Sequence, residues 1–170
     1  MIKVYGIFEV TSGKLRVCDP CYSKSVKTVK VLEVLKGKYL ATVGIEEDTG
    51  GFGERVSWLE ICHQDYSNVE ANQLMPEVDV GVDSGQAGFF DEEHYPDGGS
   101  TGDFEDLNSF YGKACNLTLQ DEQGGIIDSF GVVSSSGYGD GEYDLYVGRN
   151  SANQIVAARI SFLNEEDEWE

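Results

Sequence analysis

The sequence predicts a mainly β fold, an antiparallel β-sandwich or rolled sheet with one short helix. Three observations point there. Apolar and polar residues alternate with a period of two over several short runs, as in half-buried strands. Glycine is abundant and proline scarce, 21 against 3 in 170 residues, which suits many tight turns between short strands. Hydrophobic residues make up 40% of the chain and aromatic ones 11%, values of a folded domain rather than of a disordered acidic chain. This length suits one domain with one sizeable core, read as residues 1–163, with an acidic tail at 164–170.

Ile2–Val10 alternates, with Ile2, Val4, Gly6, Phe8 and Val10 on one face. Thr11-Ser12-Gly13-Lys14 then turns the chain into a strand that ends at Cys18. Pro20 opens a turn in which Asp19 accepts a backbone hydrogen bond and Cys21 and Tyr22 pack beneath. Residues 26–35 and 39–45 read as strands joined through Lys36-Gly37-Lys38, so this first block reads as a β-meander. Residues 46–54 are a loop. A strand at 55–63 buries Val56 and Trp58, and a helical turn falls within 64–75. A strand within 77–90 runs into Asp83-Ser84-Gly85-Gln86. Asp103 caps a helix over residues 104–111, with Phe104 and Leu107 on its apolar stripe and Gly112 closing it. Strands at 114–119, 126–134, 143–147 and 155–162 complete the chain.

Charge is distributed unevenly. Residues 1–55 carry a net charge of +2, and residues 56–170 carry −21. Such a surface repels bare nucleic acid and anionic membranes and attracts cations and basic proteins. No apolar run approaches the ~18–20 residues that span a bilayer. The alternating N-terminus has no long apolar signal region, so a cytoplasmic location is expected. The four cysteines then read as reduced thiols. Cys18 and Cys21 have the CxxC spacing of a zinc or redox pair, but no second pair follows, and the turn reading is preferred. His63 and His94 sit in no recognisable nucleophile setting. No catalytic residue, metal or cofactor is assigned.

Two Gly/Asp-rich segments stand out, VDSGQAGFFD at 82–91 and SSSGYGDGEYDLY at 134–146. Each brings a strand into a glycine turn that carries a carboxylate. Asp83, Asp91 and Asp140 could converge at one sheet end with Ser84, Gln86 and Tyr143, a candidate ligand or structural site whose oxygens suit a hard cation. The plainer reading makes these residues simple turns, with Asp140 a buried cap for backbone amides. Tyr138, Tyr143 and Tyr146 suit a protein interface, although two of the three fit better as half-buried strand residues. A third feature is the run Asp91, Glu92, Glu93, Asp97, Asp103, Glu105 and Asp106, seven carboxylates within sixteen residues and no Lys or Arg among them.

VDSGQAGFFD, SSGYGDGEYDLYVGRN and QIVAARISF together resemble the small bacterial and phage proteins grouped as domain of unknown function family 4241. The shared pattern is a VD-x-G segment, then G-x-GDG-x-Y, then a terminal strand, over residues 56–162. Gly13-Lys14-Leu15-Arg16-Val17 and Asp19-Pro20-Cys21-Tyr22 resemble N-terminal segments of related phage proteins. The resemblance implies a fold and a phage or bacterial source, and carries over no catalytic residue. The expected function is a non-enzymatic acidic protein that engages and inhibits a basic host protein, nucleic-acid-handling or defence-related, through the acids at 91–106. The alternative is a small-ligand or divalent-metal binder, or weak hydrolase, using the Gly/Asp strand ends.

Overall fold

A computed structural model describes residues 1–26, 29–47, 50–51, 53–66, 74–97 and 101–163. The tail expected at 164–170 lies outside the described residues. Two antiparallel sheets pack face to face. The six-stranded sheet contains β1 (Ile2–Val10), β4 (Gly37–Glu46), β5 (Arg55–His63), β11 (Ile155–Ser161), β10 (Gly141–Arg149) and β6 (Met75–Val82), in that spatial order. The five-stranded sheet contains β3 (Lys30–Glu33), β2 (Lys14–Cys18), β7 (Gln86–Asp91), β9 (Gly131–Ser135) and β8 (Gly124–Ile127). The first block is therefore no meander. β1 pairs with β4, while β2 and β3 pair in the opposite sheet. Among the described residues no helix is long and apolar enough to cross a membrane.

Alternation decides which side chains reach the shared core. Phe8, Leu59, Ile61, Leu145 and Ile160 enter from one sheet, and Leu15, Val17, Phe89 and Val132 from the other. The alternation of β1 breaks once. The register with β4 shifts between Val4 and Gly6, and Gly6 takes φ +137. The extra residue reverses the parity of the strand. Phe8 and Val10 face the core, whereas Ile2 and Val4 are exposed, against the single-face reading. Trp58 is likewise only half-buried. It lies over Gly44 on the outer face, with the Arg159 guanidinium 4.3 Å above its ring.

A second cluster covers the far side of the five-stranded sheet, which is why β7 is buried on both faces. Phe90 and Tyr95 pack there against Phe110 and Ala114 of α1 (Phe110–Thr118). The helix begins six residues later than predicted. Asp103 and Asp106 instead accept from Glu105 N and Asn108 N, each at 3.0 Å, which closes two turns and leaves Phe104 and Leu107 exposed. Ser109 is the true cap, its Oγ accepting from Gly112 N at 3.0 Å. Gly112 lies inside the first turn because a Cβ there would stand 1.9 Å from Asp106 O. The strand predicted at 114–119 is therefore helix. The run at 126–134 is a hairpin, turned by Asp128 and Ser129 at φ 49 and 62.

The two long sides of the sandwich differ. On one side β1 approaches β8, and Tyr5 Oη donates to Glu122 O at 2.6 Å. On the other, β6 and β3 are the sheet edges, and a cleft of about 630 Å³ opens between them. Lys30 on β3 reaches across its mouth to Glu77 on β6, 3.5 Å away.

Candidate functional site: an acidic cleft and two buried carboxylates

Asp19 adjoins the cleft, next in sequence to its lining residue Cys18. It follows β2 directly and is fully buried. Its Oδ1 accepts from Cys21 N at 2.9 Å, the local bond read from the sequence, and from Ser84 Oγ at 2.6 Å. Its Oδ2 accepts from Asp83 N at 2.9 Å and Ser84 N at 2.6 Å. One carboxylate thus ties the turn after β2 to the turn after β6. Asp83, exposed at the cleft, accepts from the Tyr22 hydroxyl. Burial, then the Asp83 hydrogen bond, pushes the Tyr22 hydroxyl pKa well up.

Asp140 faces the same cleft from the opposite strand end. It is exposed, not the buried cap expected of it. The turn before it is held by other groups: Ser136 Oγ and Tyr143 Oη both donate to Gly139 O, at 2.8 and 2.6 Å. Tyr143 is half-buried against Phe162, as is Tyr146 in its strand, and Tyr138 is 55% exposed. The structure therefore brings Asp83, Ser84, Asp140 and Tyr143 to one region. Gln86 is not among them: it is buried and turned toward α1, its Nε2 donating to Cys115 Sγ at 3.3 Å.

Sequence reasoning missed the acids between these ends. Asp79 on β6 lies directly opposite Asp144 on β10, and Glu142 is opposite Gly81. Val80, Val82 and Leu145 face inward, so Asp79, Glu142 and Asp144 share the outer face of the sheet, all exposed. Like charges placed directly across two strands repel and cost stability. The sequence shows each acid but not the register that opposes them.

Asp91 stands apart and is fully buried. Its Oδ1 accepts from Ser12 N and Oγ at 3.3 and 2.5 Å. Its Oδ2 accepts from Thr11 N and Oγ1 at 3.3 and 2.8 Å and lies 2.6 Å from His94 Nδ1. Burial raises its pKa, but the hydrogen bonds from Ser12, then His94 and Thr11, outweigh this and hold it below the ordinary carboxylate value. Asp91 is the acceptor for the β1–β2 turn, not a surface acid, and does not join Asp83 and Asp140. Asp91, Glu93 and His94 do bring three ligand atoms within 4.8 Å of one another, a set that could hold a metal ion. Asp91 and His94 already bond each other there.

Glu92 is also consumed by the fold. Arg16, nearly buried over the Tyr95 ring, donates Nε and Nη2 to it at 2.8 and 3.0 Å. Of the seven acids at 91–106, Glu93, Asp97, Asp103, Glu105 and Asp106 remain exposed. Glu92→Ala is expected to lose about 3 kcal/mol in urea unfolding, because the buried Arg16 keeps its charge without its carboxylate. Glu93→Ala should change stability by under ~0.5 kcal/mol. Equal losses would refute this assignment. None of the four cysteines is in a disulfide. Burial pushes the Cys18 thiol pKa up to about 12; burial and then the Asp19 charge do the same at Cys21.

The family model described as Protein of unknown function (DUF4241) matches residues 8–160. The chain belongs to that family. The DUF4241 match takes in Asp19, Asp91 and all the cleft acids, and its description assigns no activity from which a residue role could be transferred. Comparison with curated proteins and with solved structures gives no match.

Proposed function

We propose that this protein is a non-enzymatic binder that captures a basic partner protein on the acidic edge of its open cleft. The opposition of Asp79 and Asp144 carries this reading. It works against folding, whereas Asp91, Glu92, Asp103 and Asp106 each hold part of the fold together. Asp83, Asp140 and Glu142 extend the same acidic stretch. Among the described residues the only three-ligand cluster is the one at Asp91, so the cleft acids are spread along an edge rather than gathered around a point. Spread charge suits a chain of cations. Lys30 already places one ammonium at this edge, against Glu77. A partner that works through its basic surface, such as a nucleic-acid-handling host protein, is inhibited when that surface is covered.

The test is titration with a lysine-rich peptide at low and high salt. Binding should weaken strongly at 1 M salt, where the Debye length is about 3 Å. Asp79→Asn/Glu142→Gln/Asp144→Asn should abolish capture at low salt while unfolding no earlier than wild type, gaining up to ~1 kcal/mol from relieved repulsion. Undiminished capture by this variant would overturn the reading.

A further inference from the structure

We propose that the cleft takes an extended segment of the partner, added as a new strand along the free edge of β6, with basic and apolar residues alternating. This rests on the basic-partner reading above and specifies how the partner is held. The backbone carries the first part of the argument. Asp83 gives its N–H to Asp19, on the side away from β10. Antiparallel strands direct successive residues to opposite sides, so Gly81 and Asp79 point their N–H and C=O into the cleft, while Val82 and Val80 bond β10. Among the described residues no strand is hydrogen-bonded along that side of β6. A row of such groups is a template for strand addition.

The same edge is blunted elsewhere. Pro76 lacks an N–H, and the register with β10 shifts between Asp144 and Tyr146. Only the stretch from Asp79 toward Asp83 remains regular. Gly81 leaves room in the middle of it, since a Cβ there would meet only Tyr22 Oη, at 3.9 Å.

Side chains supply the specificity. Residues of an added strand alternate between the two faces. On the outer face they meet Asp79, Glu142 and Asp144. On the inner face they meet the cleft wall made by Val17, Val29, Val80 and Val82. Lysine or arginine fits the first set and an aliphatic residue the second.

The experiment is calorimetric titration of the full chain with a short peptide of alternating lysine and valine. A block peptide of the same composition is the comparison. Two further versions are N-methylated on alternate amides, one on each edge of the strand. The alternating peptide should bind at least tenfold tighter than the block peptide. Methylation of the edge that faces β6 should weaken binding about tenfold or more, and methylation of the other edge should not. Equal effects of the two methylations, or equal binding of block and alternating peptides, would overturn strand addition and leave the basic-partner reading standing. Failure of every lysine peptide to bind at low salt would overturn both.

Discussion

Asp91→Ala is expected to lower the unfolding free energy by about 3–5 kcal/mol, a large effect for a single substitution. The side chain is fully buried and receives two backbone N–H groups, two hydroxyls and the His94 ring. Its removal leaves the β1–β2 turn with desolvated donors and no acceptor. Trp58 fluorescence in urea would report the loss, and a change under ~1 kcal/mol would refute the role. The pH dependence follows from the lowered pKa of Asp91. A carboxyl whose folded pKa lies below its unfolded value near 3.9 stabilises the fold fully above that value. The contribution fades as pH falls from about 4 through the lower folded value. The stability gap between wild type and Asp91→Ala should therefore shrink below pH 4. A gap that widens there would contradict the assignment.

Asp19→Ala is expected to cost about 3–4 kcal/mol, because three backbone N–H groups and the Ser84 hydroxyl lose their shared acceptor. Hydrogen exchange should quicken first at the amides of Cys21, Asp83 and Ser84. Capture of the lysine peptide should fall with it, since Asp19 sets the end of β6 against β2. Asp140→Asn is the contrast. An exposed turn residue of this kind should shift stability by no more than ~0.5 kcal/mol. If the two substitutions cost the same, the turn before β10 depends on Asp140 after all.

Much of the fold was legible because its signals are local. The alternation in Ile2–Val10 and Arg55–His63 and the glycine-rich turn before Gly141 each depend on neighbours a few residues away. So does the Asp19 bond to Cys21. Misreadings arose where a local signal had a distant competitor. Gly112 looks like a helix end but is needed under the backbone of Asp106, and Asp103 looks like a helix cap but closes a turn before it. Asp128-Ser129 turned a hairpin without the glycine that usually marks one.

A mainly β chain with a strongly acidic second part is readable from the residues alone, because hydrophobic periodicity and net charge are sums over residues. The place of each carboxylate depends instead on how distant segments meet in the fold. Asp91 lies 80 residues from Thr11 and bonds it, Asp19 lies 65 residues from Ser84 and bonds it, and Asp79 faces Asp144 through a strand register. A carboxylate in a turn and a carboxylate at an edge are the same residue in sequence. Burial and pairing over long separations tell them apart, making one a fastener of the fold and the other an exposed charge.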